Sequence, residues 1–327
     1  MSIVSFIRVG LLICAFIHCV TAALAEQVTF PSANVRDMGP FATGEQSGKV
    51  EIRADLSFPS KGRGPFPAVV IAHTIGGYFE ANEGWFAAEL RKAGFATLTY
   101  DSFKPRNWTG RFAKADPSVG PSALYDAFAA LDFLAGHSNI DQTKIAVIGF
   151  SHGGDVAHMA AFERFRRAMM PNRRFAAHVG FYPGWVWGTR AGKDAYSGAP
   201  VLLLLADKDE LTPAAKVESY LAYLKKDDPA PNIQVVTYRN AYHAWTNVRV
   251  KTPRFFPEGA NARKCPLLLV GQVRVGMLIN GEEKSFDRPL WERCFPESRG
   301  YTMGFSAQVR AKSLADTIVF LKRSMSL

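Results

Sequence analysis

Three residues of this 327-residue chain have the types and order needed to make a hydroxyl reactive. The first is Ser151 in "GFSHGG", residues 149–154, where Gly149 and Gly153 stand two positions to either side in a G-x-S-x-G arrangement. A serine hydroxyl is a poor nucleophile near neutral pH and needs a base to take its proton as it attacks. That base needs a third group, usually a carboxylate, to fix its tautomer and stabilise the imidazolium. The run "KIAVIGF" before the serine reads as a buried strand and the residues after it as a helix. A serine at the apex of such a sharp turn has strained backbone angles, and side chains at 149 and 153 would collide with neighbouring elements. The helix that follows aims its first N–H groups at the place where negative charge develops.

The base follows by elimination. Where strands alternate with helices around such an elbow, the chain order is nucleophile, acid, base. Beyond "VLLLLADKDELTP" one histidine remains, His243 in "NAYHAW". Asp207 and Asp209 both occupy the loop expected to supply the acid; Asp209, deeper in the loop and ahead of Thr212, is the one we favour. A tetrahedral oxyanion needs two donors. These are expected from the backbone N–H of His152, next to the nucleophile, and of Ile75 in "AHTIGG". His73 reads as a residue that organises that loop, and the side chains of His152 and His158 as packing or surface groups. Tyr78, Trp185, Trp187 and Trp245 are candidates to line a substrate pocket. Arg106 in "DSFKPR" is a candidate for a substrate carboxylate, or for an ion pair with Asp101.

These residues need a scaffold, and the pattern of the chain supplies one. "AVVIAH", "ATLTYD", "KIAVIGF", "AAHVGFYP", "APVLLLLADKD" and "NIQVVTYRNAYH" are short apolar, β-branched runs. "GWFAAELRKAGF", "PSALYDAFAALDFLAG", "GDVAHMAAFERFRRAMM", "TPAAKVESYLAYLKK" and "SAQVRAKSLADTIVFLKRSM" have helical periodicity. Ser122 is expected to cap the second of these, and Thr212-Pro213 to start the fourth. Such alternation predicts a mostly parallel sheet covered on both faces, with its site at the carboxyl ends of the strands. Residues 246–300 break the rhythm, hold both Cys265 and Cys294, and contain a hairpin turning at Asn280-Gly281.

Length and composition agree with one domain over residues 26–327, since 48% of the chain is hydrophobic and 21% charged. Residues 1–25 differ: Arg8, an apolar run, and Ala23-Leu24-Ala25 have the layout of a cleaved secretory leader. Cleavage removes two of the four cysteines and leaves Cys265 and Cys294, an even pair expected to form a disulfide in an oxidising compartment. An exported protein, periplasmic or secreted and without a membrane span once the leader is removed, is the expectation. The formal net charge of +10 falls by one with Arg8, yet no basic tract interleaved with aromatics points to nucleic acid. No cysteine, histidine or acid spacing suggests a metal, and no cofactor is expected.

Together "IAHTIGG", "YDSFKPR", "GFSHGG", "LLADKDELTP" and "AYHAW" resemble the dienelactone hydrolase family of the α/β-hydrolase superfamily, from about residue 50 to 245 and again in the closing helix. The resemblance implies an α/β-hydrolase fold, to which this chain adds the disulfide-pinned insertion at about 246–300, and Ser151, Asp209 and His243 as nucleophile, acid and base. It also supports Asp209 over Asp207, because the family's acid lies in a [GA]-x-x-D pattern, here Ala206 to Asp209. The founding members carry a cysteine at the position of Ser151 and a glutamate at that of Thr74, are cytoplasmic, and lack the insertion. The expected activity is therefore hydrolysis of small carboxylic esters or lactones through an acyl-enzyme, without restriction to dienelactone. A peptidase on the same fold, or a secreted binding protein that has lost catalysis, are the alternatives.

Overall fold

A computed structural model describes residues 25–109, 118–184, 186–226, 232–271, 275–294 and 296–327; the expected leader, up to residue 24, and Trp185 lie outside them. Among the described residues, strands β1 (Glu26–Ala33), β2 (Lys49–Ser57), β3 (Phe66–Ala72), β4 (Ala96–Tyr100), β5 (Ile140–Phe150) and β6 (Ala177–Phe181) belong to an eight-stranded sheet. After β7 (Trp187–Thr189), which lies elsewhere, β8 (Val201–Ala206) and β9 (Ile233–Tyr238) complete it in the order β1-β2-β4-β3-β5-β6-β8-β9. The β1–β2 and β2–β4 pairs are antiparallel and the remaining pairs parallel.

The central strands do not alternate between apolar and polar because both their faces are covered. Ala68 and Val70 of β3 pack with Leu124 and Phe128 of the helix Val119–Ala135 in one core. Val69 and Ile71 point the other way, into a second core with Phe86 and Leu90 of the helix Trp85–Lys92 and Leu314 and Phe320 of the helix Ala307–Ser324. Each of these four β3 side chains is fully buried, and burying a Val or Ile side chain contributes about 1.5–3 kcal/mol. Among the described residues no helix is long and apolar enough to cross a membrane.

Several local expectations are corrected. Ser122 does not cap its helix, which starts earlier, at Val119; its hydroxyl instead bonds the backbone N–H and C=O of Val35. Pro121 is accommodated because the first turn has no intrahelical use for its missing N–H. The helix expected over 154–170 is two, His152–Met159 and Glu163–Met169. Residues 195–197 draw the chain out between them, with Ser197 N–H donating to Ala161 O and Glu163 N–H to Ala195 O. Thr212 does not cap either. Pro213 occupies the N-cap of the helix Ala214–Leu224, with no side-chain cap bond, and the Thr212 hydroxyl donates to the carbonyl of Pro183.

The excursion at 246–300 forms two small sheets. β10 (Arg254–Ala260) pairs with β14 (Arg299–Met303), while β11 (Leu267–Val270), β12 (Val275–Ile279) and β13 (Glu282–Ser285) join β7 in the order β13-β12-β11-β7. Asn280 and Gly281 both have positive φ, 53° and 75°, as a two-residue hairpin of this twist requires. Cys265 and Cys294 are bonded. The excursion is not a free appendage, because β11 runs parallel to β7 from the body of the domain.

Candidate active site

The elbow is built from close backbone approaches. Ser151 has φ 52° and ψ −112°, a sparsely populated conformation that costs about 1–3 kcal/mol and is held by Ser151 N–H donating 2.9 Å to Phe181 O. A Cβ on Gly149 would lie 2.0 Å from Gly153 O, and one on Gly153 would lie 2.2 Å from Ala72 O. Only glycine fits at either position. The second contact presses the elbow against the end of β3, where the loop 73–79 begins.

Ser151 Oγ lies 3.0 Å from His243 Nε2, and His243 Nδ1 lies 2.8 Å from Asp209 Oδ2. The second oxygen of Asp209 accepts N–H bonds from Leu211 and Thr212, both 2.9 Å. Asp209 and His243 are buried, 4% and 3% exposed. Asp207 is exposed and turned elsewhere, accepting from Ala241 N–H at 3.3 Å to tie the end of β8 to the turn after β9. The three side chains thus meet although 92 residues separate the first from the last.

Beside them, the loop after β3 makes a turn from Thr74 to Gly77, with Gly77 N–H donating to Thr74 O at 3.0 Å and Gly76 N–H to Thr74 Oγ1 at 3.2 Å. Among the described residues the N–H of Ile75 has no partner. The N–H of His152, the first in its helix, likewise has no partner among the described residues. His73 organises this loop through both ring nitrogens: Nδ1–H donates 2.6 Å to Thr74 O and Nε2 accepts from Ser102 N–H at 3.0 Å.

Two pocket candidates are corrected. Trp245 is fully buried, stacked edge-on with Tyr182 and Tyr238, and its indole N–H donates to Ser313. Arg106 is buried too. Its guanidinium forms a two-pronged pair with Asp126, at 2.7 and 2.8 Å, and also donates to Asn34, Ala33 O and Ser102 O. With every nitrogen engaged, it has none left for a substrate, and its partner is not Asp101. Trp187 opens β7, paired with Leu268 and packed on the core. Tyr78 is half-buried, its hydroxyl donating to Glu80, and lines an open groove with Arg53 and Asp55 of β2 and Thr99 of β4.

Other residues at the site do not follow from the motifs. Tyr182, just past β6, lies edge-on to His243 with ring centroids 4.9 Å apart, and its hydroxyl bonds Thr246. Glu210 accepts from the N–H and hydroxyl of Thr302 in β14, and Gly304 N–H donates to His243 O. The last strand of the excursion therefore grips the acid loop and the base loop together. Their chemistry is unremarkable in isolation, so only position reveals them; Tyr182 alone carried a hint, falling at a strand's carboxyl end.

A parallel sheet entered by two antiparallel strands, with a nucleophile elbow after β5 and a carboxylate and imidazole after β8 and β9, defines an α/β hydrolase. Two solved structures align over nearly the whole chain. They are a dienelactone hydrolase-like promiscuous phosphotriesterase from metagenomic libraries (17% identity, TM-score 0.52, 91% of this chain and 98% of that one) and an α/β hydrolase from a deep-sea metagenome of the Medee basin (16%, 0.51, 93% and 100%). At these identities they show the fold. The model of the dienelactone hydrolase family matches residues 52–265, and the chain belongs to that family. It is also similar to the uncharacterized protein YcjY of Escherichia coli K12, 26% identical over 154 residues, which are 44% of this chain. The chain spans about half the length of that relative, 47%.

Proposed function

We propose that this chain hydrolyses carboxylic ester or lactone bonds through an acyl-enzyme on Ser151. One observation carries the reading: the unbroken run of contacts Ser151 Oγ–His243 Nε2 and His243 Nδ1–Asp209 Oδ2, at 3.0 and 2.8 Å. As Oγ adds to the substrate carbonyl carbon, its proton passes to Nε2. The carbonyl oxygen becomes an oxyanion, for which the N–H groups of Ile75 and His152 are the donors. Collapse expels the alkoxide, which takes the proton back from Nε2; water then enters by the same route and releases the acid. Asp209, fixed by Leu211 and Thr212, keeps the proton of neutral His243 on Nδ1, so that Nε2 can act as base.

A short-chain p-nitrophenyl ester and a fluorophosphonate probe test this. Wild-type protein should turn over the ester and be labelled, and Ser151→Ala should do neither. Wild-type rates from that variant would sink the mechanism, and faster cleavage of amides than of esters would replace it with a peptidase. Export is part of the proposal, and the bonded Cys265–Cys294 pair supports it, since such bonds persist in oxidising compartments. The mass of protein recovered from the producing cell checks it: the chain should begin at Glu26.

A further inference from the structure

Glu83 is the buried acid for which the mechanism above has no use. It lies in the short helical segment Glu80–Gly84, ahead of the helix Trp85–Lys92, and is fully buried. Its two oxygens do different things. Oε1 accepts the N–H of Thr74 at 3.2 Å and Oε2 the N–H of Phe79 at 3.0 Å. One carboxylate thus spans both ends of the loop that holds Ile75. Inside that span, Gly76 and Gly77 bond back to Thr74, and His73 Nδ1–H fixes the Thr74 carbonyl. The N–H groups of Thr74, Gly76, Gly77 and Phe79 are thus all held, and among the described residues that of Ile75 has no partner.

We propose that Glu83 is a positioning residue for the oxyanion donor of Ile75, an inference that rests on the hydrolase reading above. An oxyanion hole works because its donors are aimed before charge appears and need no reorganisation as it forms. A six-residue loop with two glycines has no such rigidity of its own. Two divergent N–H groups need two acceptor oxygens, which a carboxylate has and a carboxamide lacks. In Glu83→Gln the amide nitrogen would face one of the two N–H groups, donor against donor, and that end of the clamp would open.

The experiment uses the full chain and three proteins: wild type, Glu83→Gln and Glu83→Asp. Each is measured for kcat and KM on a p-nitrophenyl ester, and for inhibition by an aryl trifluoromethyl ketone. That ketone adds Ser151 Oγ at its carbonyl carbon, sends the hydroxyl proton to His243 and leaves a tetrahedral oxyanion, so its affinity reports the donors directly. We expect Glu83→Gln to lower kcat about 10- to 100-fold, as loss of alignment does, with KM changed less than about threefold. The ketone's inhibition constant should rise by the same factor as kcat/KM falls. Glu83→Asp, which keeps both oxygens on a shorter stem, should lie between the two and remains the test if Glu83→Gln does not fold. Folded variants with wild-type kcat and ketone affinity overturn the proposal, as does a loss of kcat with ketone affinity intact. A wild-type protein that neither cleaves ester nor binds the ketone overturns the hydrolase reading itself, a result distinct from either.

Discussion

The imidazole of His243 has a carboxylate on one nitrogen and a hydroxyl on the other, and each contact makes a separate prediction. Asp209→Asn should leave the fold intact but present an amide to Nδ1, favouring the wrong tautomer, and kcat should fall about 10⁴-fold. Steady-state kinetics check this beside a thermal melt, which should move little. Arg106 makes the opposite prediction. Its pair with Asp126 is buried, with side chains 3% and 0% exposed, so Arg106→Ala strands a carboxylate and should cost about 3–5 kcal/mol of stability. Urea unfolding measures that cost. The folded fraction should keep the wild-type KM for carboxylated and neutral esters alike, since the guanidinium does not reach substrate.

The elbow and the excursion are the elements on which the site depends. Gly153→Ala would drive a methyl to 2.2 Å from Ala72 O, backbone against backbone, so β3 and the elbow must separate. Loss of fluorophosphonate labelling in a chain that still folds, by circular dichroism, is the expected outcome. The excursion acts through β14. From the disulfide, Cys265 N–H reaches Ala262 O, Asn261 bonds Ser298 and Gly300, and β14 continues to Met303, bridged to His243. Replacing both cysteines by alanine should therefore lower stability by about 3–4 kcal/mol and reduce kcat as well. A double variant less stable but fully active would show that the bond steadies the excursion alone.

At the scale of the molecule, two histidines buried in one core set its response to acid. His158 of the helix His152–Met159 lies against Tyr196 at 2.8 Å, and His178 of β6 has Nδ1 3.0 Å from Ala157 O of the same helix. Burial lowers their pKa values to about 3 and about 4, from 6.5. Both are depressed, so below pH 6.5 the unfolded chain takes up protons that the native one refuses, and stability falls with pH until about 4 and 3. Each histidine adds a slope of up to about 1.4 kcal/mol per pH unit in that window. Melting temperature against pH should drop from 6.5 downward, and His178→Gln should flatten the curve.

The strands were legible because burial on both faces demands unbroken apolar runs, and "AVVIA" and "IAVIGF" contain no polar residue. The elbow was legible because glycines flank Ser151 wherever backbone must touch backbone, and His243 because no other histidine follows the acid loop. Strands β1, β7, β10, β11 and β14 were not read, since they are edge, ribbon or very short strands, too brief or too irregular to show a period. The split of the helix after Ser151 escaped notice because its cause, residues 195–197, lies in another part of the chain. Arg106 and Trp245 carry the same side chains whether they line a pocket or fill a core, and Glu83 is one acid among 29 acidic residues. Which neighbours such groups meet depends on contacts between distant segments, and those exist only once the chain has closed around its sheet. Residue type and local spacing determined what chemistry this protein carries; tertiary structure decided which groups of the same type are aimed at it.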